Sequence, residues 1–324
     1  MPSFPASEIL QAANHEPLCG NEKSLAGLGH LLPHSLISQI GGFTWFEDFT
    51  NPASFDTTTG QGWTVTQING GAGAADLDST SAGLFGCLHL YSGAVANTGA
   101  QFALPRFGIS PIPAGADGMW SACGARFGFI PLGSGASVIE GDFSLGWLNL
   151  QAASTAIWDA TTHQLQVAAG SGALPIRDGF LFWKQHGSAS LNFSAFRAMD
   201  TAATPTTQIR RDALGIATIV PMPSGTTNFT RGGFLDVALR FRPINTIGYD
   251  IARGSGFGSS NTGEVEVFVN EYGRPSTWRK IGSTLTNVAP FTLIVPHIAL
   301  CAGTLLGTQA YVDHMWSYQP RNVL

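Results

Sequence analysis

The chain is poor in charge. Of its 324 residues 16 are Lys or Arg and 21 are Asp or Glu, so charged residues make up 11%, against about 25% in an average soluble domain. So few basic residues, in a chain of net charge -5, cannot build a face that tracks phosphates, and no nucleic-acid partner is expected. Cysteine is scarce too. Cys19, Cys87, Cys123 and Cys301 lie far apart with no C-x-x-C pair. That excludes zinc-ligand spacing and leaves buried free thiols as the expectation. Glu, Lys and Leu are too sparse for a coiled coil, and glycine follows no G-X-Y period, which excludes collagen. The opening MPSFPASEIL has no basic region followed by an apolar stretch, and residues 291–307 are broken by Pro296 and His297. No secretory signal and no membrane span are expected.

What is present is apolar and Gly-rich. Hydrophobic residues make up 44%, with 40 glycines and 18 prolines, enough to bury a substantial core. The surface must then consist of Ser, Thr, Asn, Gln, Gly and backbone. Such a surface suits wide contact with other proteins.

Residues 1–41 differ from the rest. Ser7 could cap a short helix over Glu8–Asn14, and Leu25–Ile40 is apolar but broken by Gly27, Gly29 and Pro33. This stretch is expected to be an attachment arm, with Leu25, Leu28, Leu31, Leu32, Leu36 and Ile37 as its contact residues for a shell or for further copies. From Phe43 onward short runs rich in Val, Ile, Phe, Trp and Thr recur between turn residues. They include Phe43–Phe49, Gly62–Ile68, Met119–Ile130, Phe143–Leu150, Ala156–Trp158, Gln164–Ala168, Gly179–Lys184, Ile216–Val220, Phe234–Arg242, Gly263–Asn270 and Gln309–Trp316. Many short strands at regular spacing, without long helical periodicity or internal repeat, predict an all-β, two-sheet antiparallel sandwich over residues 42–324. Alternation sends Val265, Val267 and Val269 one way and Glu264, Glu266, Phe268 and Asn270 the other. Asn270–Gly273 is expected to close a hairpin with Thr277–Ile281.

Several pieces form a set. They are Phe46-Glu47-Asp48-Phe49, Gly62-Trp63, the run Gly86–Ala94, Arg126-Phe127-Gly128-Phe129, Phe143–Trp147, Gly263–Asn270 and the closing strand Ala310–Trp316. The set resembles the concanavalin A-like lectin/glucanase sandwich as it occurs in tailed-phage virion proteins. The resemblance implies a jelly roll with both termini on neighbouring strands.

Enzymes that resemble this fold carry Glu-x-Asp-x-(x)-Glu on one strand, giving a nucleophile and an acid/base. The nearest stretch is Glu264-x-Glu266, and its third carboxylate is missing. No serine has Gly at both -2 and +2. His30 and His34 are separated by Pro33, and Asp76–Thr80 starts like a calcium loop without its later ligands. No catalytic residue, cofactor or metal is therefore expected. Of the eight tryptophans most should be core, with Trp158 and Trp183 the candidates for stacking on a sugar, alongside Glu264 and Glu266 as glycan contacts. The expectation is a non-enzymatic virion protein on the capsid surface, made in the host cytoplasm. It would be a decoration or cement protein whose partners are the major capsid protein and its own copies, as a closed ring such as a trimer. A tail or fibre module recognising host-surface glycan is the alternative, and a glycoside hydrolase the third.

Overall fold

The computed structural model describes residues 43–47, 49, 62–70, 74–77, 87–93, 95–104, 108, 121–131, 141–150, 156–166, 176–187, 191–196, 209–210, 235–243, 263–271, 279–286, 293–303 and 308–319. The arm residues Leu25, Leu28, Leu31, Leu32, Leu36 and Ile37 lie outside them, as does Ile216–Val220.

All regular structure within the described residues is strand. The order begins with β1 (Phe43–Glu47), β2 (Thr64–Ile68), β3 (Ala74–Leu77), β4 (Leu88–Tyr91), β5 (Gly99–Ala103) and β6 (Ser121–Pro131). It continues with β7 (Asp142–Leu150), β8 (Trp158–Asp159), β9 (Gln164–Leu165), β10 (Ile176–Lys184), β11 (Asn192–Phe196) and β12 (Ile209–Arg210). It ends with β13 (Leu235–Pro243), β14 (Gly263–Glu271), β15 (Arg279–Thr286), β16 (Val295–Cys301) and β17 (Thr308–Gln319). One sheet runs β15-β14-β13-β6-β17-β4-β3, with β1 also on β17. The second runs β12-β11-β10-β7-β16-β5-β2. The described strand pairs are antiparallel. The two-sheet antiparallel sandwich expected from the sequence is what forms.

Alternation decides which side chains meet. Val237, Leu239 and Phe241 of β13, Val265, Val267 and Val269 of β14, and Ala310, Val312 and Met315 of β17 face Phe143, Leu145 and Trp147 of β7, Phe180 and Phe182 of β10, and Ile298 and Leu300 of β16. Each large apolar side chain so buried contributes about 1.5–3 kcal/mol. Burial of Cys87, Cys123 and Cys301 as free thiols matches the expectation for those three.

β17 organises the first sheet. One edge pairs with β6, and the other pairs with β4 at Gln309–Val312 and then with β1 at Met315–Gln319. The first and last described strands are thus neighbours, Phe43 opposite Gln319. Asp313 is an extra residue between the pairs Val312–Phe127 and His314–Arg126, a bulge that re-aims its side chain. Beside it, Trp316 crosses Gly124, where a Cβ would lie 2.7 Å from the indole, so only glycine leaves room for the ring.

Two expectations need correction. β14 and β15 do pair as an antiparallel hairpin, but Asn270 and Glu271 belong to the strand and the link is residues 272–278. Glu271 is still strand, paired with Leu235. Second, residues 156–166 are not sandwich strands. β8 and β9 form a hairpin of their own, for which a two-residue ladder suffices because packing onto the second sheet supplies the stability. Among the described residues no helix is long and apolar enough to cross a membrane.

Candidate functional site

The outward faces of the two sheets carry the polar chemistry. On the second sheet, register places Trp183, Ser144, Ala299, Gln101 and Thr66 in one row. Leu181, Gly146, His297, Ala103 and Thr64 make the next. The β8–β9 hairpin lies on this face. Its Ile157, Trp158 and Ala160 pack on Ile68, Leu148, Leu181, Ala299 and Cys301, with Trp183 against the edge.

This settles where the two candidate tryptophans stand. Trp158 is 1% exposed. Its indole N–H donates to Ser144 Oγ at 3.0 Å, and the Ile157 N–H donates to Gln101 Oε1 at 2.9 Å. Trp158 therefore presents no open ring to a ligand. Trp183 is half-buried, donates its indole N–H to Ser194 Oγ at 2.9 Å and meets Trp158 edge-on, ring centroids 6.4 Å apart.

On the first sheet, the outward face of β13 and β14 carries Asp236, Ala238 and Arg240 beside Asn270, Phe268 and Glu266. Glu266 is bound on both sides. Arg240 donates to its Oε2, and Lys280 Nζ donates to Oε1 at 2.6 Å. The Arg240 guanidinium also sits 5.3 Å from the Phe268 ring centroid. Both carboxylate oxygens are thus occupied by cations on the same sheet face. The backbone of Glu264 stands between Arg242 and Leu285 on neighbouring strands. The structure places Glu264 and Glu266 on the first sheet, Trp183 on the second and Trp158 on the hairpin packed over the second, so it does not bring the four together.

The structure adds residues that were not singled out. Arg126 clamps Asp236 with two bonds, Nε to Oδ1 at 2.5 Å and a second amino group to Oδ2 at 3.0 Å, and reaches Asp313 Oδ2 at 3.3 Å. Burial works against the Arg126 charge, but Asp236 and Asp313 outweigh it and push its pKa above the ordinary value. His314 donates to Asp313 at 3.4 Å and stacks on Phe46, ring centroids 5.7 Å apart. Alternation alone places Asp236 and Arg240 on one face, but pairing them with Arg126 and Asp313 requires a register that no local motif carries. The second added cluster is Asp142, His163, His186 and Lys184 at one end of β7 and β10. Among the described residues no group of three or more His, Cys, Asp or Glu could hold a metal ion.

No protein-family model matches the chain, and no curated protein sequence matches it. Solved structures do resemble it. Arcelin-5, a lectin-like defence protein from Phaseolus vulgaris, is 10% identical with a TM-score of 0.42, covering 86% of this chain and 99% of that one. Winged bean acidic lectin, complexed with methyl-α-D-galactose, is 7% identical with a TM-score of 0.45, covering 87% and 100%. The CBM2 module of an evolved Dit from Lactobacillus casei BL23 phage J-1 is 11% identical with a TM-score of 0.41, covering 86% and 97%. The likeness is one of overall architecture, and the galactoside belongs to the winged bean protein. The chain itself is an all-β protein built as a two-sheet antiparallel sandwich.

Proposed function

We propose that the chain is a non-enzymatic structural protein of a tailed-phage particle, a capsid decoration or cement protein attached through residues 1–41. The observation that supports this reading is the pairing of β1 with the end of β17, Phe43 opposite Gln319. The arm therefore joins the sandwich at one end of the first sheet, beside the point where residues 320–324 leave it. A module tethered in this way can anchor by its arm while both sheets stay displayed. The charge-poor composition supports the same reading, because contact over a wide area then desolvates few ionised groups. Affinity would come from summed area and from several linked contacts, through the major capsid protein and further copies of this chain in a closed ring.

The test keeps the full-length chain and places aspartate in the arm, at Leu31 and Leu36 together. Binding to shells stripped of this protein should be lost, while the denaturant midpoint stays within about 0.5 kcal/mol of the parent, as for surface changes. Retention of full affinity would show that the arm is not the attachment.

A second reading, recognition of host-surface glycan by a tail or fibre module, is favoured by one observation. Trp183 is half-buried on the second sheet, next to the half-buried Asn192 on the adjoining strand. It predicts glycan-array binding that Trp183→Ala removes. An array of host polysaccharides without a hit would count against it.

A further inference from the structure

Three chain segments meet at one end of the second sheet. Ile68 closes β2 opposite Gly99, the first residue of β5, and Gly99 also faces Cys301, the last residue of β16. Beyond these strand ends the backbone passes through left-handed residues, Asn69 and Gly70 with φ 54° and 68° and Asn97 with φ 57°. Glycine accepts that conformation freely, and asparagine tolerates it better than most residues. The segments are tied to one another. Asn69 Nδ2 donates to Asn97 O at 3.0 Å, the Asn97 N–H donates to Gly303 O at 3.3 Å, and the Ala302 N–H donates to Thr98 O at 2.7 Å.

Asn69-Gly70 is also the only Asn-Gly pair in the sequence. An asparagine amide can be attacked by the backbone nitrogen of the residue that follows it. The Gly70 N–H gives its proton to hydroxide, and its nitrogen bonds to Asn69 Cγ. The Cγ–Nδ2 bond then breaks, and ammonia leaves with a proton taken from water. The product is a five-membered imide. Water adds to one imide carbonyl or the other and opens the ring to aspartate or to β-linked isoaspartate. A side chain at position 70 would crowd the attacking nitrogen, and glycine has none. Asn69 and Gly70 are both exposed. A Cβ on Gly70 would meet nothing within 4 Å, so no packed group resists the rotation that ring closure requires. Asn97 supplies the contrast. It shares the left-handed backbone but precedes the buried, β-branched Thr98, whose hydroxyl donates to Val95 O at 2.7 Å.

We propose that Asn69 is a site of spontaneous deamidation, and that its conversion unties the end of β2 from β5 and β16. The product sets a carboxylate oxygen against Asn97 O, acceptor against acceptor. Asn97 already carries a buried Oδ1 with no hydrogen-bond partner, so it offers no donor there in exchange. The β-linked product also lengthens the main chain by a methylene within the turn. The reaction consumes only water and adds a negative charge to a charge-poor surface. The proposal does not depend on the attachment reading above.

The test incubates full-length protein in mildly alkaline buffer and follows each asparagine by peptide mass spectrometry, with isoaspartyl methyltransferase labelling to count the β-linked product. Asn69 should convert before any other asparagine, at a rate that rises with hydroxide concentration. It should convert about two- to tenfold more slowly than a free peptide of residues 64–75, because the bond to Asn97 must break first. Gly70→Ala has room for its methyl group and should suppress the reaction. If the left-handed alanine prevents folding, the order of conversion in the parent carries this half of the test. For the second half, the Asn97 and Ala302 amides should exchange hydrogen about two- to tenfold faster in converted protein and in Asn69→Asp than in the parent. The proposal is overturned if Asn69 keeps its amide while other asparagines lose theirs, if it lags the peptide by far more than tenfold, or if converted protein exchanges at the parent's rate.

Discussion

Replacing Glu266 separates a structural carboxylate from a catalytic one. The residue is 6% exposed and receives Arg240 on one oxygen and Lys280 on the other. The Lys280 side chain is 43% exposed. Its pair therefore belongs with surface bridges, worth about 0.2–1 kcal/mol. The Arg240 side chain is 25% exposed and doubly bonded to Glu266. Breaking a fully buried pair costs about 3–5 kcal/mol, and solvent reaching the guanidinium brings this one to about 2 kcal/mol. Glu266→Gln keeps one acceptor but turns an amide donor toward a cation, so a loss of about 2 kcal/mol is expected, and about 3 kcal/mol for Glu266→Ala. Urea unfolding should show the midpoint falling with the slope unchanged. A double-mutant cycle with Lys280→Ala should give a coupling of about 0.5 kcal/mol. A Glu266→Gln variant as stable as the parent would refute the ion-pair account. If it also lost a β-glucan-cleaving activity present in the parent, the hydrolase reading would return.

Three further outcomes follow from the same geometry. Gly124→Ala pushes a methyl group into the Trp316 indole and should cost about 1–3 kcal/mol, with a changed near-ultraviolet dichroism spectrum; an unchanged spectrum and midpoint would contradict the packing. His297 is fully buried, neither ring nitrogen has a hydrogen-bond partner, and burial pushes its pKa from 6.5 down to about 3. The unfolded chain then binds the proton that the folded one refuses, so stability falls as pH drops from 6.5 toward 3, by up to about 1.4 kcal/mol per pH unit. His297→Leu should flatten that slope. Asp142, whose pKa burial raises, acts in the opposite sense and is common to both proteins, so their difference isolates His297. Burial also raises the thiol pKa values of Cys123 and Cys301. A thiol reagent at about pH 8 should leave both unlabelled in native protein, resolved by peptide mass spectrometry, and label both after denaturation.

What could be read from the chain alone divides along physical lines. Strand faces are local, because every second residue turns to the same side. Val265, Val267 and Val269 were therefore placeable. Cross-strand chemistry is not local. Arg126 and Asp236 are 110 residues apart, and their pairing depends on β6 lying beside β13. The hairpin over residues 156–166 was misread because Trp158 and the run from Gln164 look like sandwich strands. Their apolar side chains satisfy an outward sheet face, which alternation cannot distinguish from the core. Asp142, His163 and His186 carry no motif, since a turn with a left-handed histidine and a sheet end must meet before they do. Of the residues marked for glycan contact, Trp158 was the least informative, because a tryptophan has the same signature whether it plugs a sheet or greets a ligand.

The attachment account is tested most directly by the copy number of this chain in purified particles, measured by quantitative mass spectrometry against the major shell protein. The account predicts a ratio comparable to the shell protein, falling to background when Leu31 and Leu36 are aspartate. A chain present at a few copies per particle, or absent from particles, would contradict it.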